Sequence, residues 1–239
     1  MSVTVQAIRF TDDVSAMRML LEQLGLVAVV STPQWAVMRS GSGDVLLHAT
    51  ANAANGAPAG STELTFETDD MDALAVRFGV TPMDEAWGRS IEIVDPLGDR
   101  VTVNAQQEDF YGYETSQALP DPTIGVCPVR FTDPRGAYGE FLTRLGLHQS
   151  SPDDDSFVAY GADHGSVGVH IARPEETMRL LADAPGAQVH LTLSTTGDPE
   201  TLAATLRAAG HDVRVDTTFG TMLELTDPDG RSLQIHAES

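Results

Sequence analysis

Apolar and polar residues alternate in short runs along most of this chain, and at intervals the period lengthens to that of a helix. Val3 to Phe10 alternates as a strand does. From about Asp13 to Leu24 the apolar positions Val14, Met17, Leu20, Leu21 and Leu24 fall on one helical face, with Asp12 or Asp13 as cap and Gly25 as terminator. Strands near Val27 to Ser31, Trp35 to Arg39 and Asp44 to Thr50 complete a βαβββ unit. After an Ala/Asn/Gly/Pro-rich connection at 51–60, a second unit takes strand Glu63 to Thr68, helix Asp70 to Phe78, and strands near Thr81 to Glu85, Ser90 to Val94 and Arg100 to Asn104.

Residues 105–123 carry neither period and contain two prolines, which makes them the domain boundary. The expected division is a first domain over 1–108, a linker over 109–123 and a second domain over 124–239. Phe110, Tyr111 and Tyr113 in that segment are expected to pack between the halves, with a ligand contact as the alternative. The second half repeats the plan, with strand Gly125 to Phe131, helix Pro134 to Leu145, strands ending at Ile171, a short helix around Glu175 to Leu181, strand Val189 to Ser194, helix Pro199 to Ala209 and a closing hairpin. That hairpin joins Thr221–Thr226 to Arg231–His236 through Asp227-Pro228-Asp229-Gly230, and Asp95-Pro96-Leu97-Gly98 joins an equivalent pair in the first half. Arg9-Phe10-Thr11-Asp12 recurs as Arg130-Phe131-Thr132-Asp133, Leu24-Gly25-Leu26 as Leu145-Gly146-Leu147, and His48 as His170. A duplicated domain accounts for all of these.

Composition narrows the chemistry. At 239 residues the chain has length for two ordinary domains, each able to bury its own core. A net charge of −21 argues against nucleic acid and anionic membranes as partners. All 14 basic residues are Arg, so lysine-based catalysis and lysine-linked cofactors are excluded. The single Cys127 excludes an intrachain disulfide and a Cys-rich zinc site. No leader-like or membrane-spanning run is evident, so a cytoplasmic location is expected.

The βαβββ order, the repeated RFTD junction and the DPxG hairpin ending each half resemble the vicinal oxygen chelate superfamily, which includes glyoxalase I, bleomycin- and fosfomycin-resistance proteins and extradiol dioxygenases. The resemblance covers nearly the whole chain and implies an α+β fold of four βαβββ modules paired into two domains, with helices outside and a cavity inside each curved sheet. One strand parity should then face each cavity. Arg9 and Arg130 are expected to point inward with Val5, Ala7, Val126 and Pro128, as are Glu63, Thr65, Glu67, Glu92, Thr102 and Asn104 in the first half. In the second half His190, Thr192, Ser194, Glu224, Gln234 and His236 are expected there.

The family's metal-ligand pattern maps onto Val5, His48, Glu63 and Thr102 in the first half and onto Val126, His170, His190 and Gln234 in the second. A shift of one residue would substitute Gln6 and Cys127. Valine and threonine do not serve, and the second set lacks a carboxylate, so no catalytic metal or other cofactor is expected. His48 and His170, at matched positions, read as structural or ligand-orienting groups. Arg9 and Arg130 stand where glutathione-using members meet a carboxylate, against an internal ion pair with Glu92 or Glu224. Trp35 and Trp87 read as core, with cavity walls as the alternative.

Two functions follow. One is a small-molecule binding protein of the resistance or sequestration kind. The other is an enzyme, an isomerase, lyase or dioxygenase using a metal in the second half, or a metal-free one acting through Arg130, Glu224 and His190. The matched first-half positions offer fewer imidazoles. The principal site is therefore expected in 124–239, with His190 and Glu224 as the catalytic candidates and Arg130, His170, Gln234 and His236 around a ligand, in a monomer or a homodimer.

Overall fold

In the computed structural model the chain is described over residues 1–85, 88–107, 110, 113, 115–181 and 189–238. Trp87 and Tyr111 lie outside the described residues. The first half forms a single eight-stranded sheet. It contains β1 (Val3–Thr11), β2 (Val27–Ser31), β3 (Trp35–Arg39), β4 (Asp44–Ala49), β5 (Thr62–Thr68), β6 (Met83–Glu85), β7 (Gly88–Val94) and β8 (Arg100–Ala105), in the order β2-β3-β4-β1-β5-β8-β7-β6. Strand β1 runs parallel to β4 and antiparallel to β5, so the two βαβββ runs join along β1 and β5. Helices α1 (Val14–Gln23) and α2 (Met71–Phe78) start where Asp13 and Asp70 accept from the amides of Ala16 and Ala73 at 2.9 and 3.0 Å.

The second half repeats this order with interruptions. Its elements are β9 (Ile124–Val126), β10 (Val129–Phe131), α3 (Tyr138–Leu145), β11 (His148–Gln149), β12 (Phe157–Gly161), β13 (Ser166–His170), α4 (Pro174–Leu180), β14 (Val189–His190), β15 (Thr192–Thr195), α5 (Pro199–Ala208), β16 (Arg214–Asp216), β17 (Met222–Thr226) and β18 (Ser232–Ala237). They form two sheets, β11-β12-β13-β10-β14 and β16-β17-β18-β15-β9. The expected strand over 125–131 is broken between β9 and β10 at Cys127-Pro128, because proline has no N–H for the ladder. Its partner is broken at Leu191. Helix α3 begins at Tyr138 rather than Pro134, and its N-cap residue Ala137 has no side chain to cap it.

The cores are shared between the halves, which corrects the expectation that each domain buries its own. Helix α1 residues Met17 and Leu21 share one apolar cluster with Ala203 and Leu206 of α5 and Ile235 of β18. In the other, Leu74 of α2 and Phe66 of β5 join Phe141, Leu142 and Leu145 of α3. The helical face of each sheet is therefore turned toward the opposite half.

The two repeated motifs meet across this interface. Arg9, only 2% exposed, pairs with Asp227 and, at 3.8 Å, with Asp229, and it donates to the Gly60 carbonyl. Arg130, 3% exposed, pairs reciprocally with Asp99 and, at 3.4 Å, with Asp95, and its guanidinium lies 5.4 Å from the Tyr138 ring centre. In each DPxG turn the first aspartate divides its work. Oδ1 of Asp227 accepts from the amides of Asp229 and Arg231 at 3.0 and 2.8 Å while Oδ2 faces Arg9. Oδ1 of Asp95 likewise accepts from Leu97 and Asp99, both at 2.9 Å. The expectation that Arg9 and Arg130 line cavities is thus corrected. They are ion-paired, with the opposite half's hairpin rather than with Glu92 or Glu224.

Candidate functional site

The parity of β1 is the reverse of that expected. Val5, Ala7 and Arg9 are buried on the helical side, and Gln6 and Ile8 face the concave side. For β5, β8, β17 and β18 the expected parity agrees with the burial, since Leu64, Phe66, Val103, Leu223 and Ile235 are the core residues. The concave side of the first half holds a cavity of about 650 Å³. Its floor is laid down by strand register. Arg39 pairs with Asp44, Asp44 with Gln6 and Gln6 with Thr65, which makes one end polar. The next row, Val37, Leu46 and Ile8, is aliphatic, and beyond it Trp35 stands opposite His48. Tyr113 meets the Trp35 ring edge-on at 5.7 Å, and Phe110 also lines the space. These two aromatics therefore wall the first-half cavity, where packing between the halves was expected.

The polar end has unusual electrostatics. Asp44 is buried, with Gln6 Nε2 donating to it at 3.5 Å and Arg39 Nε also 3.5 Å away. Burial raises its pKa and Arg39 opposes the rise. Glu67, half-buried beside it, is pushed up to about 7, first by burial and then by the charge of Asp44. Gln6 is 4% exposed, and its Oε1 has no hydrogen-bond partner among the described residues. Glu63 lies further along β5. It accepts from Asn55 at 2.6 Å, and burial raises its pKa.

The second-half residues occupy a different setting. Helix α4 covers that concave face, with Leu180 and Leu181 packed on Phe131 and Val129 and Arg179 donating to Glu224 at 2.6 Å. Burial raises the pKa of Glu224, but Ser232 and Arg179 outweigh it and hold the carboxyl below its usual range. His190 is 2% exposed. Its Nε2 donates to the Ser232 carbonyl at 2.8 Å, and burial pushes its pKa down to about 4, so it is a neutral internal group rather than a solvated cavity base. His170 lies 5.5 Å from the Phe131 ring with Nδ1 2.9 Å from the Ile171 carbonyl, matching His48 on Phe10 and Ala49. Gln234 is buried beside Thr192, and His236 is exposed. Glu92 makes an exposed ion pair with Arg100 at 2.7 Å. Helix α4 thus lies over strands that carry the side chains expected to form the principal site in 124–239, with His190 and Glu224 both engaged by internal partners.

No family model and no curated protein matches the chain. Solved structures do. A catechol 2,3-dioxygenase aligns over 99% of this chain and 87% of its own with a TM-score of 0.59 at 11% identity. The 2,3-dioxygenase LapB from Pseudomonas sp. KL28 aligns over 99% and 91%, with a TM-score of 0.61 at 12% identity. A Mn(II)-bound glyoxalase from Novosphingobium aromaticivorans gives 99%, 82%, 0.62 and 15%. The fold is the one these dioxygenases and this glyoxalase share. At these identities the likeness concerns fold alone.

Across the sheet centre, register brings together Gln6, Thr65 and Thr102 in the first half and Cys127, Thr192 and Gln234 in the second. Among the described residues no three His, Cys, Asp or Glu side chains converge as metal ligands would. Amides and hydroxyls do not fit an iron or manganese centre. Burial also pushes the Cys127 thiol up to about 12, far from a thiolate at neutral pH. Also among the described residues, no helix is long and apolar enough to cross a membrane.

Proposed function

We propose that this chain is a vicinal oxygen chelate-fold binding protein that takes up a small organic molecule in the first-half cavity, without a resident catalytic metal. In this reading four βαβββ modules, paired by duplication, frame two concave faces, of which the first receives the ligand and the second is filled by α4. The observation that carries it is the cavity of about 650 Å³ with an aromatic and aliphatic wall and a few convergent polar groups, the usual composition of a ligand site. A monomer or homodimer serves equally, because every lining residue comes from one chain. A second reading has Glu67 exchanging a proton with the bound molecule, favoured by its pKa of about 7.

Leu46 lies at the middle of the cavity floor, so Leu46→Trp should fill the space. A thermal-shift screen of small organic compounds against wild type is expected to find some that raise Tm, and those shifts should vanish in a folded Leu46→Trp protein. If no compound shifts the wild type, or if the shifts persist in the variant, the proposal is wrong.

A further inference from the structure

The first-half cavity has a direction, and resting on the binding role just proposed, its chemistry selects a class of ligand. At its polar end the carboxylates of Asp44 and Glu67 line the cavity, beside the Arg39 guanidinium and the amides of Gln6, Asn104 and Gln107. Among the described residues Gln6 Oε1 is buried without a hydrogen-bond partner, and Gln6 and Arg39 both reach the Asp44 carboxylate at a long 3.5 Å. Glu67 adds a third acceptor. An unpaired buried acceptor costs stability, which a ligand N–H recovers only once the Gln6 side chain turns toward the cavity. A ligand carboxylate there would face Asp44 and Glu67. Toward the other end, Ile8, Val37 and Leu46 offer an apolar track leading to Trp35. Four strand residues separate the Gln6 level from the Trp35 level, roughly 13 Å at strand rise.

We infer that the cavity binds an elongated organic cation whose N–H-bearing head, of amidinium or guanidinium type, sits on Gln6, Asp44 and Glu67 while its apolar or aromatic body lies along Ile8, Val37 and Leu46 to Trp35. The overall charge of −21 favours the approach of such a molecule. Arg39 at the rim neutralises Asp44 in part and leaves Glu67 to answer the ligand's charge. The groups around Glu67 are Asp44 on β4, Arg39 on β3, Gln6 on β1, Asn104, its strand neighbour on β8, and Gln107, whose backbone N–H donates to the carboxylate. Because Glu67 is half-protonated near neutrality, cation binding should strengthen as pH rises through 7 and should expel a proton.

A matched trio of equal shape tests this. Biphenyl-4-carboxamidine is a cation, biphenyl-4-carboxamide is neutral and biphenyl-4-carboxylate is an anion, and each would be titrated by calorimetry into wild type, Glu67→Gln and Leu46→Trp at several pH values. The amidine is expected to bind wild type at least about tenfold more tightly than either analogue, a difference of one charge-assisted hydrogen bond. That preference should shrink in Glu67→Gln along with the pH dependence. Should Glu67→Gln not fold, the wild-type pH profile and the trio ranking still decide. Equal or tighter binding of the amide or carboxylate, or no binding by any of the three, overturns the cation assignment. Amidine binding that survives in Leu46→Trp instead overturns the cavity reading beneath it.

Discussion

Arg9 and Arg130 carry the most structural weight of any single side chains here. Each is a buried charge whose partners come from the opposite half, and removing one partner of such a pair typically costs about 3–5 kcal/mol. Arg9→Ala should lose that much stability in chemical denaturation, whereas Glu92→Ala, which breaks only an exposed pair, should stay within about 0.5 kcal/mol. Equal effects would mean that the clamp is dispensable. Glu67 makes a pH prediction. Its folded pKa of about 7 lies above the ordinary 4.5, so the folded chain keeps a proton that the unfolded chain has released. The associated stability is full below about pH 4.5 and is lost as pH rises through 7. Between those limits stability should fall less, or rise more, with pH in Glu67→Gln than in wild type, against a background in which Asp44, Glu63 and Asp227 act in the same direction as Glu67 and the buried His190 and His236 in the opposite one. An unchanged slope would show that Glu67 is not desolvated. Both arginines were visible in the sequence as repeats, but their orientation was not. Strand β1 has apolar side chains on both faces, Val5 and Ala7 on one and Ile8 and Phe10 on the other, so alternation alone could not say which face was the core.

Among the elements, strands and capped helices were legible almost to the residue where a single force decided them. Val27–Ser31 and Trp35–Arg39 have the expected bounds, and Asp13 and Asp70 mark their helices. Breaks appear where proline removes a donor, as at Pro128, and α3 starts late where no side chain caps it. Helix α4 was legible as a short helix but its destination was not, because seven residues with one buried Leu180 do not say which surface receives them. Its seating on Phe131 is testable. Leu180→Ala should cost about 2–4 kcal/mol, the range for a buried leucine, and a loss near zero would mean that α4 does not pack on the second concave face.

For the whole molecule, the pairing of α1 with α5 and of α2 with α3 makes the two halves one cooperative body. Calorimetry should find a single unfolding transition with matching calorimetric and van't Hoff enthalpies, and two resolved transitions would contradict the shared cores. The duplication itself was plain from RFTD and DPxG. Its consequence was not, because a repeat specifies what each half resembles and is silent on how the halves face each other. The same gap explains the site. The second half has the richer set of titratable side chains, but there α4 lies over the strands that carry them, and the cavity of about 650 Å³ is in the first half. In the proposed function, ligand enters over β3, β4, β1 and β5. Hydrogen–deuterium exchange of the full chain, with and without saturating biphenyl-4-carboxamidine or any compound that raises Tm, tests it most directly. Protection should appear in Val3–Thr11, Trp35–Arg39, Asp44–Ala49 and Thr62–Thr68, with 124–238 unchanged; protection concentrated in Pro174–Leu180, Val189–His190 and Ser232–Ala237 would place the working site in the second half and contradict the account.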